Sequence, residues 1–412
     1  MKRTISYGQQ TIDEDDIACV VRALGSGTLT QGPLIQEFED AVTEHTGARY
    51  AVACSNGTAA LHLACLAAGL GNKDTVITSP ITFLASSNAA LYVGAVPVFA
   101  DIDPETFNID PSEIEKKIEN TPGVKAVIPV HFAGLPCDME RICAIARRRG
   151  LTVIEDACHA LGASWKEKDG PWRAVGSSTH SDMTVFSFHP VKSITTGEGG
   201  AVTTNDRALY ERLKLLRSHG VTKDVGQFAL RNAAPWHYEM HALGYNYRLS
   251  DIQCALGVSQ MKKLGRFIER RTRIAELYTA ILSRYPFIKL PVVRHGFKSA
   301  YHLYPVRIAF DEIGVCKAEW FELMKKIGVN LQVHYIPVHL QPYYRKMFGY
   351  GAGDFPVAER FYETEVSLPI YPLLTDEEVG AVTAGILSTL AHASARGAKA
   401  ARGPDEKRAI CF

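Results

Sequence analysis

The chain has 412 residues, 46% of them hydrophobic, with 45 Lys and Arg against 44 Asp and Glu, a net charge of +1. That length supports two or three domains with an ample core, and so balanced a charge gives no electrostatic case for nucleic acid or an anionic membrane as partner. No stretch approaches the ~20 apolar residues of a membrane span, residues 1–8 lack a signal peptide's apolar run, and nine cysteines without Cys-x-x-Cys spacing read as reduced thiols of a cytosolic protein.

In chain order, Thr11-x-x-Glu14 is expected to be a capping box opening a helix that Gly25 ends, followed by a loop over 27–33. Val52-Ala-Cys-Ser55-Asn56-Gly57-Thr58 leaves an apolar strand and enters a helical run, Ala59–Ala68, closed by Gly69. The free N–H groups at that helix start and the Thr58 hydroxyl would make an anion site, and Gly57 would let the backbone approach closely. An isolated Ser-Asn-Gly-Thr is also compatible with an ordinary helix cap that binds nothing. Apolar runs recur at 75–78, 96–100, 126–130 and 151–154, with helical patterns between them, as after Pro111. Strands buried on both faces of a mostly parallel sheet have this pattern, and Thr82, Asp101, His131 and Asp156 fall at their ends. Asp101 and His131 are expected to be scaffold. A helical pattern over 249–275 leads out of this large domain, and 298–309 and 366–374 read as pieces of a smaller one, with helices near 316–327 and 375–390. The expected units are a large domain with an N-terminal arm at 1–250, a small domain at 251–390 and a mobile tail at 391–412.

The chemistry concentrates in two segments. Leu151-Thr-Val-Ile-Glu155-Asp156 ends a strand in two carboxylates, and Ser187-Phe-His-Pro-Val-Lys192 leads into Thr196-Gly-Glu-Gly199-Gly200, where the glycines turn a hairpin. Together they fit pyridoxal phosphate. A carboxylate at the strand end can hold the pyridine nitrogen protonated, while a lysine on a later turn reaches the aldehyde carbon and forms a Schiff base. At ~4 Å and an effective dielectric of about 20, the carboxylate supplies roughly 4 kcal/mol for that proton. Asp156 and Lys192 are the candidates, and Ser187 can add a hydroxyl to the phosphate cradle of Gly57 and Thr58. Taken singly, Asp156 could cap a helix and Lys192 could be a solvated loop lysine. No Walker A lysine pattern or strand-linked Gly-x-Gly-x-x-Gly supports ATP or a dinucleotide.

Ser55-Asn-Gly-Thr-Ala-Ala-Leu61, Val130-His-Phe-Ala-Gly134, Glu155-Asp-Ala-Cys-His-Ala-Leu-Gly162, Ser187 through Gly200, Leu216-Arg-Ser-His-Gly220 and Gly244-Tyr-Asn-Tyr-Arg-Leu-Ser-Asp251 occur in that order. Over roughly residues 5 to 390 the chain resembles the DegT/DnrJ/EryC1/StrS sugar aminotransferases, within the fold type I pyridoxal phosphate enzymes. That resemblance implies an α/β fold, a mostly parallel sheet in the large domain and a smaller α/β C-terminal domain. It makes Lys192 the Schiff base lysine and Asp156 the pyridinium partner. Phe83 would stack on the cofactor ring, His159 would lie near its phenolic oxygen, and Gly57, Thr58 and Ser187 would hold its phosphate. Asn246 would reach that phosphate from the second subunit of a homodimer.

Three further segments, Ile5-Ser-Tyr7-Gly-Gln, Pro235-Trp-His-Tyr-Glu-Met240 and Val333-His-Tyr-Ile-Pro-Val-His-Leu-Gln-Pro-Tyr-Tyr344, look like the branch serving pseudaminic acid synthesis. That branch aminates carbon 4 of a UDP-linked 4-keto-6-deoxy-N-acetylhexosamine, with glutamate as donor. Tyr7, Thr28, His334 and Tyr335 would meet the sugar. The bland alternatives are a surface turn for His334, His339, Tyr343 and Tyr344, and subunit packing for Trp236 and Tyr238. Lys192 would serve first as covalent anchor and then as general acid–base. Action on another nucleotide-linked 4-keto sugar or on carbon 3, sugar dehydration, or a catalytically idle regulator are the other expectations; Lys192 counts against the dehydratases that carry histidine there, and intact Lys192, Asp156 and Ser187 count against an idle relative.

Overall fold

The computed structural model describes residues 4–168 and 170–400, with 392–400 as backbone only. Helix α1 (Glu14–Leu24) starts two residues later than a Thr11 cap would place it. Asp13 is the N-cap, its carboxylate accepting from the Asp16 amide while Asp16 accepts in return, and Lys263 pairs with both acids. Thr11 and Glu14 carry a capping-box spacing, but four acids run in a row over 13–16, and the pair that a distant lysine neutralises wins the position.

After α2 (Pro33–Thr46) come strand β1 (Tyr50–Cys54), α3 (Gly57–Ala67), β2 (Thr75–Thr78), α4 (Ala85–Tyr92), β3 (Val96–Phe99), α5 (Pro111–Asn120), β4 (Val124–Ile128), α6 (Met139–Arg148) and β5 (Thr152–Asp156). A hairpin of β6 (Ser164–Lys166) and β7 (Trp172–Ala174) precedes β8 (Met183–Ser187), β9 (Gly200–Thr204) and α7 (Arg207–Arg217). Seven strands form one sheet in the order β1-β9-β8-β5-β4-β2-β3. The neighbours from β8 to β3 run parallel; β9 is antiparallel to both β1 and β8. Phe38, Ile114, Ile142 and Phe186 cover one face and Leu61, Leu63, Ala89 and Leu213 the other, so the strands are apolar throughout rather than alternating. The crossover helices leave the functional side chains at the carboxyl ends of β2, β4, β5 and β8.

A short ladder of β10 (Val221–Thr222) and β11 (Glu239–Met240) closes an arm before α8 (Asp251–Met261) and α9 (Leu264–Leu282). The small domain has β12 (Ile288–Lys289), β14 (Tyr304–Ile308) and β15 (Glu365–Leu368) in one antiparallel sheet, while β13 (Phe297–Lys298) reaches back to pair with β6. Helices α10 (Phe310–Ile313), α11 (Lys317–Lys326), α12 (Pro342–Phe348), α13 (Pro356–Thr364) and α14 (Asp376–Ala400) complete it. A boundary at residue 250 falls too early. Cys254, Leu264 and Phe267 pack into the large core, whereas Ile274, Tyr278 and Leu282 join Trp320 and Ile386 in the small one, so α9 itself spans the junction. The N-terminal arm likewise joins the small domain, through Ile5. The backbone of 391–400, expected within a mobile tail, continues α14; 401–412 lie outside the described residues.

Asp101 and His131 are scaffold, as expected. Asp101 accepts the amides of Val357 and Ala358 at the start of α13. His131 Nδ1 accepts the Cys137 amide, so its Nε2 donates to Glu155, 2.7 Å away in the core. Burial pushes Glu155 up, yet His131 and the hydroxyls of Ser181 and Thr184 outweigh it and hold the carboxyl below its ordinary value. Glu155→Ala would strand the buried donors of His131 and Thr184 and the part-buried hydroxyl of Ser181, and should cost about 3–5 kcal/mol, read as a lower urea midpoint; an unchanged midpoint would contradict this role.

Candidate active site

Asp156 ends β5, its amide donating to the Pro129 carbonyl and its own carbonyl accepting from the His131 amide. Backbone pairing thus fixes the carboxylate's origin. Its Oδ2 accepts the Ser86 hydroxyl at 2.5 Å and its Oδ1 the Cys158 amide at 3.1 Å. Ser86, in the first turn of α4, is held in turn by Thr82 at 2.6 Å. Lys192 sits in the connection from β8 to β9, its amide donating to the His189 carbonyl. Burial lowers its ammonium pKa, while Cys158 and Asp156 push it back up. Val191 beside it is tied to Arg271, which is 1% exposed and also donates to the carbonyls of Tyr301, His302 and Ile370. Burial brings the Arg271 pKa down to about 10.

The start of α3 is packed closely against its neighbours, not left as an open loop. The Asn56 side chain caps α3 by accepting the Ala59 amide at 2.8 Å. A Cβ added at Gly57 would lie 2.9 Å from Ser187 Cβ and 3.2 Å from its hydroxyl, and one at Gly200 would lie 2.5 Å from the Asn56 carbonyl oxygen. Gly57, Thr58 and Ser187 therefore converge, and the glycines are what allow it.

All of these groups except Arg271 and Gly200 line or adjoin one cavity of about 860 Å³, whose wall also includes Tyr7, Phe83, His159, His302, His334 and Tyr335. Tyr335 hydroxyl lies 3.1 Å from His159 Nε2, and the His159 and His302 rings are 4.3 Å apart. Burial holds both histidines far below the ordinary imidazole value, with Lys192 adding to the effect, and brings His334 down to about 3. Phe83 is 58% exposed at the cavity edge. The buried Nδ1 of His159 has no partner within the chain's described residues.

Two expected site residues are not brought to this cavity. Thr28 and Asn246 are exposed and outside its lining, Asn246 bridging through its backbone to Ser218. A surface turn at 334–344 is also wrong in part. His334, His339 and Tyr344 are buried, His339 against Glu359 and Tyr344 hydroxyl against Ser87 and Asn88, and only Tyr343 of the four is exposed. Trp236 is 82% exposed on the arm. Ser86, His302 and Arg271 were not foreseen, and only the position of Ser86 four residues after Thr82 gave a local signal. Among the described residues no cluster of His, Cys, Asp and Glu is arranged for a metal, and no helix is long and apolar enough to cross a membrane.

The family model of the DegT/DnrJ/EryC1/StrS aminotransferases matches residues 10–387. The spore coat polysaccharide biosynthesis protein SpsC of Bacillus subtilis is 41% identical over 91% of this chain and 94% of its own. The UDP-4-amino-4,6-dideoxy-N-acetyl-beta-L-altrosamine transaminase of Campylobacter jejuni is 39% identical over 89% and 93% of the respective chains. Among solved structures, Helicobacter pylori PseC, an aminotransferase of pseudaminic acid biosynthesis, superposes with a TM-score of 0.85 at 32% identity, covering 95% of this chain and 100% of that one. With a match that runs the length of both domains and carries Lys192 and Asp156 into a single cavity, the chain belongs to the DegT/DnrJ/EryC1/StrS aminotransferase family.

Proposed function

We propose that this aminotransferase moves an amino group from glutamate to carbon 4 of a UDP-linked 4-keto-6-deoxy-N-acetylhexosamine, with pyridoxal phosphate in a site shared by two copies of the chain. The convergence of Lys192 and Asp156 on one cavity carries the chemistry, and the 39% identity to the Campylobacter transaminase supports the sugar. The close approach at Gly57 and the unpartnered His159 Nδ1 fit the cofactor. Gly57, Thr58 and Ser187 would hold its phosphate, Asp156 its pyridine nitrogen, Phe83 its ring face and His159 its phenolic oxygen. Bound there, pyridoxal phosphate supplies an electron sink for loss of a proton from the amino-bearing carbon.

The chain's own groups do the rest. Asp156, oriented by Ser86 and the Cys158 amide, offers a fixed negative charge. Lys192, its pKa lowered by burial, has a neutral amine available to take a proton from the donor and return it to the acceptor's carbon. Neutral His159, His302 and His334 add no positive charge to oppose Lys192. A dimer is supported by the exposure of Thr28 and Asn246 outside the lining of their own cavity, and by an arm whose Val225, Trp236 and Leu243 are all exposed. The apolar setting of most of its cysteines supports a cytosolic location.

The deciding experiment is turnover of UDP- and dTDP-linked 4-keto sugars with glutamate, products identified by mass and NMR. Amination at carbon 4 of the UDP-linked N-acetylhexosamine should dominate; preference for a sugar without the N-acetyl group would redirect the assignment toward other pathways, such as that named for SpsC. Asp156→Asn keeps shape and removes charge. Its kcat should fall by up to ~10³-fold, the equivalent of about 4 kcal/mol, with a smaller change in cofactor binding, and near-normal kcat would exclude Asp156 as the partner.

Subunit mixing tests the shared site. Asn246→Asp would set a carboxylate against the partner's phosphate site, and Lys192→Ala removes the amine. A heterodimer of the two would concentrate both defects in one site and leave the other native, so activity should rise on mixing. Confirmed exchange with activity no higher than the parents' average would put Asn246 outside the partner's site.

A further inference from the structure

Behind the cavity wall lies a carboxylate that the chemistry above does not use. Glu365, at the start of β15, is fully buried. Its Oε2 accepts the backbone N–H of His334 at 3.0 Å, and its Oε1 accepts the Ser367 hydroxyl at 2.6 Å. Ser367 Oγ is in turn 2.8 Å from His334 Nδ1. A serine hydroxyl has one proton, and here Glu365 receives it. Ser367 can then only accept from His334, so Nδ1 carries the imidazole proton and Nε2 carries the lone pair. Among the described residues no group hydrogen-bonds that Nε2, and His334 lines the cavity. Burial leaves the Glu365 pKa raised even against the opposing pull of Lys317, whose own pKa burial lowers, so the carboxylate the relay needs is fully present only on the alkaline side of that raised pKa.

We propose that Glu365 and Ser367 are positioning residues that lock His334 as a hydrogen-bond acceptor for a hydroxyl or amide N–H of the keto sugar. The inference rests on the assignment of this cavity to the sugar. Its logic makes an isosteric substitution informative. In Glu365→Gln the amide oxygen must stay toward the His334 N–H, because an NH₂ there would oppose donor to donor. The new NH₂ then faces Ser367 and donates to it, Ser367 turns its proton onto His334 Nδ1, and the imidazole proton moves to Nε2. The acceptor in the cavity becomes a donor.

The test is ¹⁵N NMR of histidine-labelled holoenzyme, with the His334 signals assigned by their loss in His334→Asn, alongside kinetics of both half-reactions. Native enzyme should show the Nδ1–H tautomer and Glu365→Gln the Nε2–H tautomer. The KM for the keto sugar should rise about tenfold in that variant, as for one lost hydrogen bond, while the glutamate half-reaction keeps its rate. Should Glu365→Gln not fold, Ser367→Ala serves instead: without its acceptor, Nδ1–H loses its advantage and a mixture of tautomers should appear with the same rise in KM. An Nε2–H tautomer in native enzyme, or variants that leave both tautomer and KM unchanged, would overturn the proposal. The tautomer measurement needs no substrate, so it judges the relay whatever sugar the turnover assays identify.

Discussion

Desolvation at the foot of the cavity is the constraint on which the site depends. Lys192 is useful only with a neutral amine, and burial, not a neighbouring cation, is the main cause of its lowered pKa. The same desolvation keeps His159, His302 and His334 neutral, so the cavity does not fill with positive charge. Asp156 acts the other way on Lys192, and its own two oxygens are engaged by Ser86 and the Cys158 amide. A hydroxyl and an amide thus hold the carboxylate in place at the cavity wall without a second cation. Arg271 completes this economy of charge. It has no carboxylate partner among the described residues; its terminal nitrogens donate to main-chain carbonyls while its buried Nε finds no partner there, tying the Lys192 loop to the segments that flank β14 and β15.

Such a site needs backbone elements brought closer than side chains normally allow. The antiparallel insertion of β9 between β1 and β8 sets Gly200 opposite both Cys54 and Ser187. At that spacing only glycine fits at 200 and 57, and the start of α3 is thereby pressed against Ser187. One topological choice therefore fixes the start of α3 beside Ser187 and the loop that carries Lys192 together. Displacing either would move the other.

How far the sequence revealed this follows from the range of each interaction. Asp156 and Lys192 were legible because strand, carboxylate, turn and lysine are each written in consecutive residues. Gly57, Thr58 and Ser187 were legible for the same reason, as helix-start and strand-end chemistry. Ser86 meets Asp156 across 70 residues and Tyr335 meets His159 across 176; the spacing of Ser86 from Thr82 hints at their own pair, but nothing local names the distant partner of either residue. The α1 cap was misplaced because Lys263, 250 residues away, decides between two acceptable spacings. The domain boundary was misplaced because the helical pattern is continuous through α8 and α9 while the core behind it changes. His339 and Tyr344 looked like turn residues by composition, yet His339 finds its partner on α13 and Tyr344 finds its own on α4.

The residues that did not converge are as informative as those that did. Thr28 sits on a loop that Asp251 holds through the amides of Gly32 and Leu34, and a Cβ at Gly32 would come 2.4 Å from the Asp251 carboxylate. That is tight construction for a loop exposed on its own chain. Asn246 similarly lies in a backbone bridge to Ser218, next to Tyr245 and Tyr247, which stack on each other and meet His62 edge-on at the cavity's edge. Rigidly held, and with Thr28 and Asn246 exposed outside the lining of their own cavity, both segments have the character of groups offered to another surface. The bare apolar arm from Val225 to Leu243 would gain most from being covered by that surface, since exposed patches of this kind are seldom left to water. Pairing of two chains would satisfy the arm and deliver the polar groups in the same step, coupling assembly of the dimer to completion of its active sites.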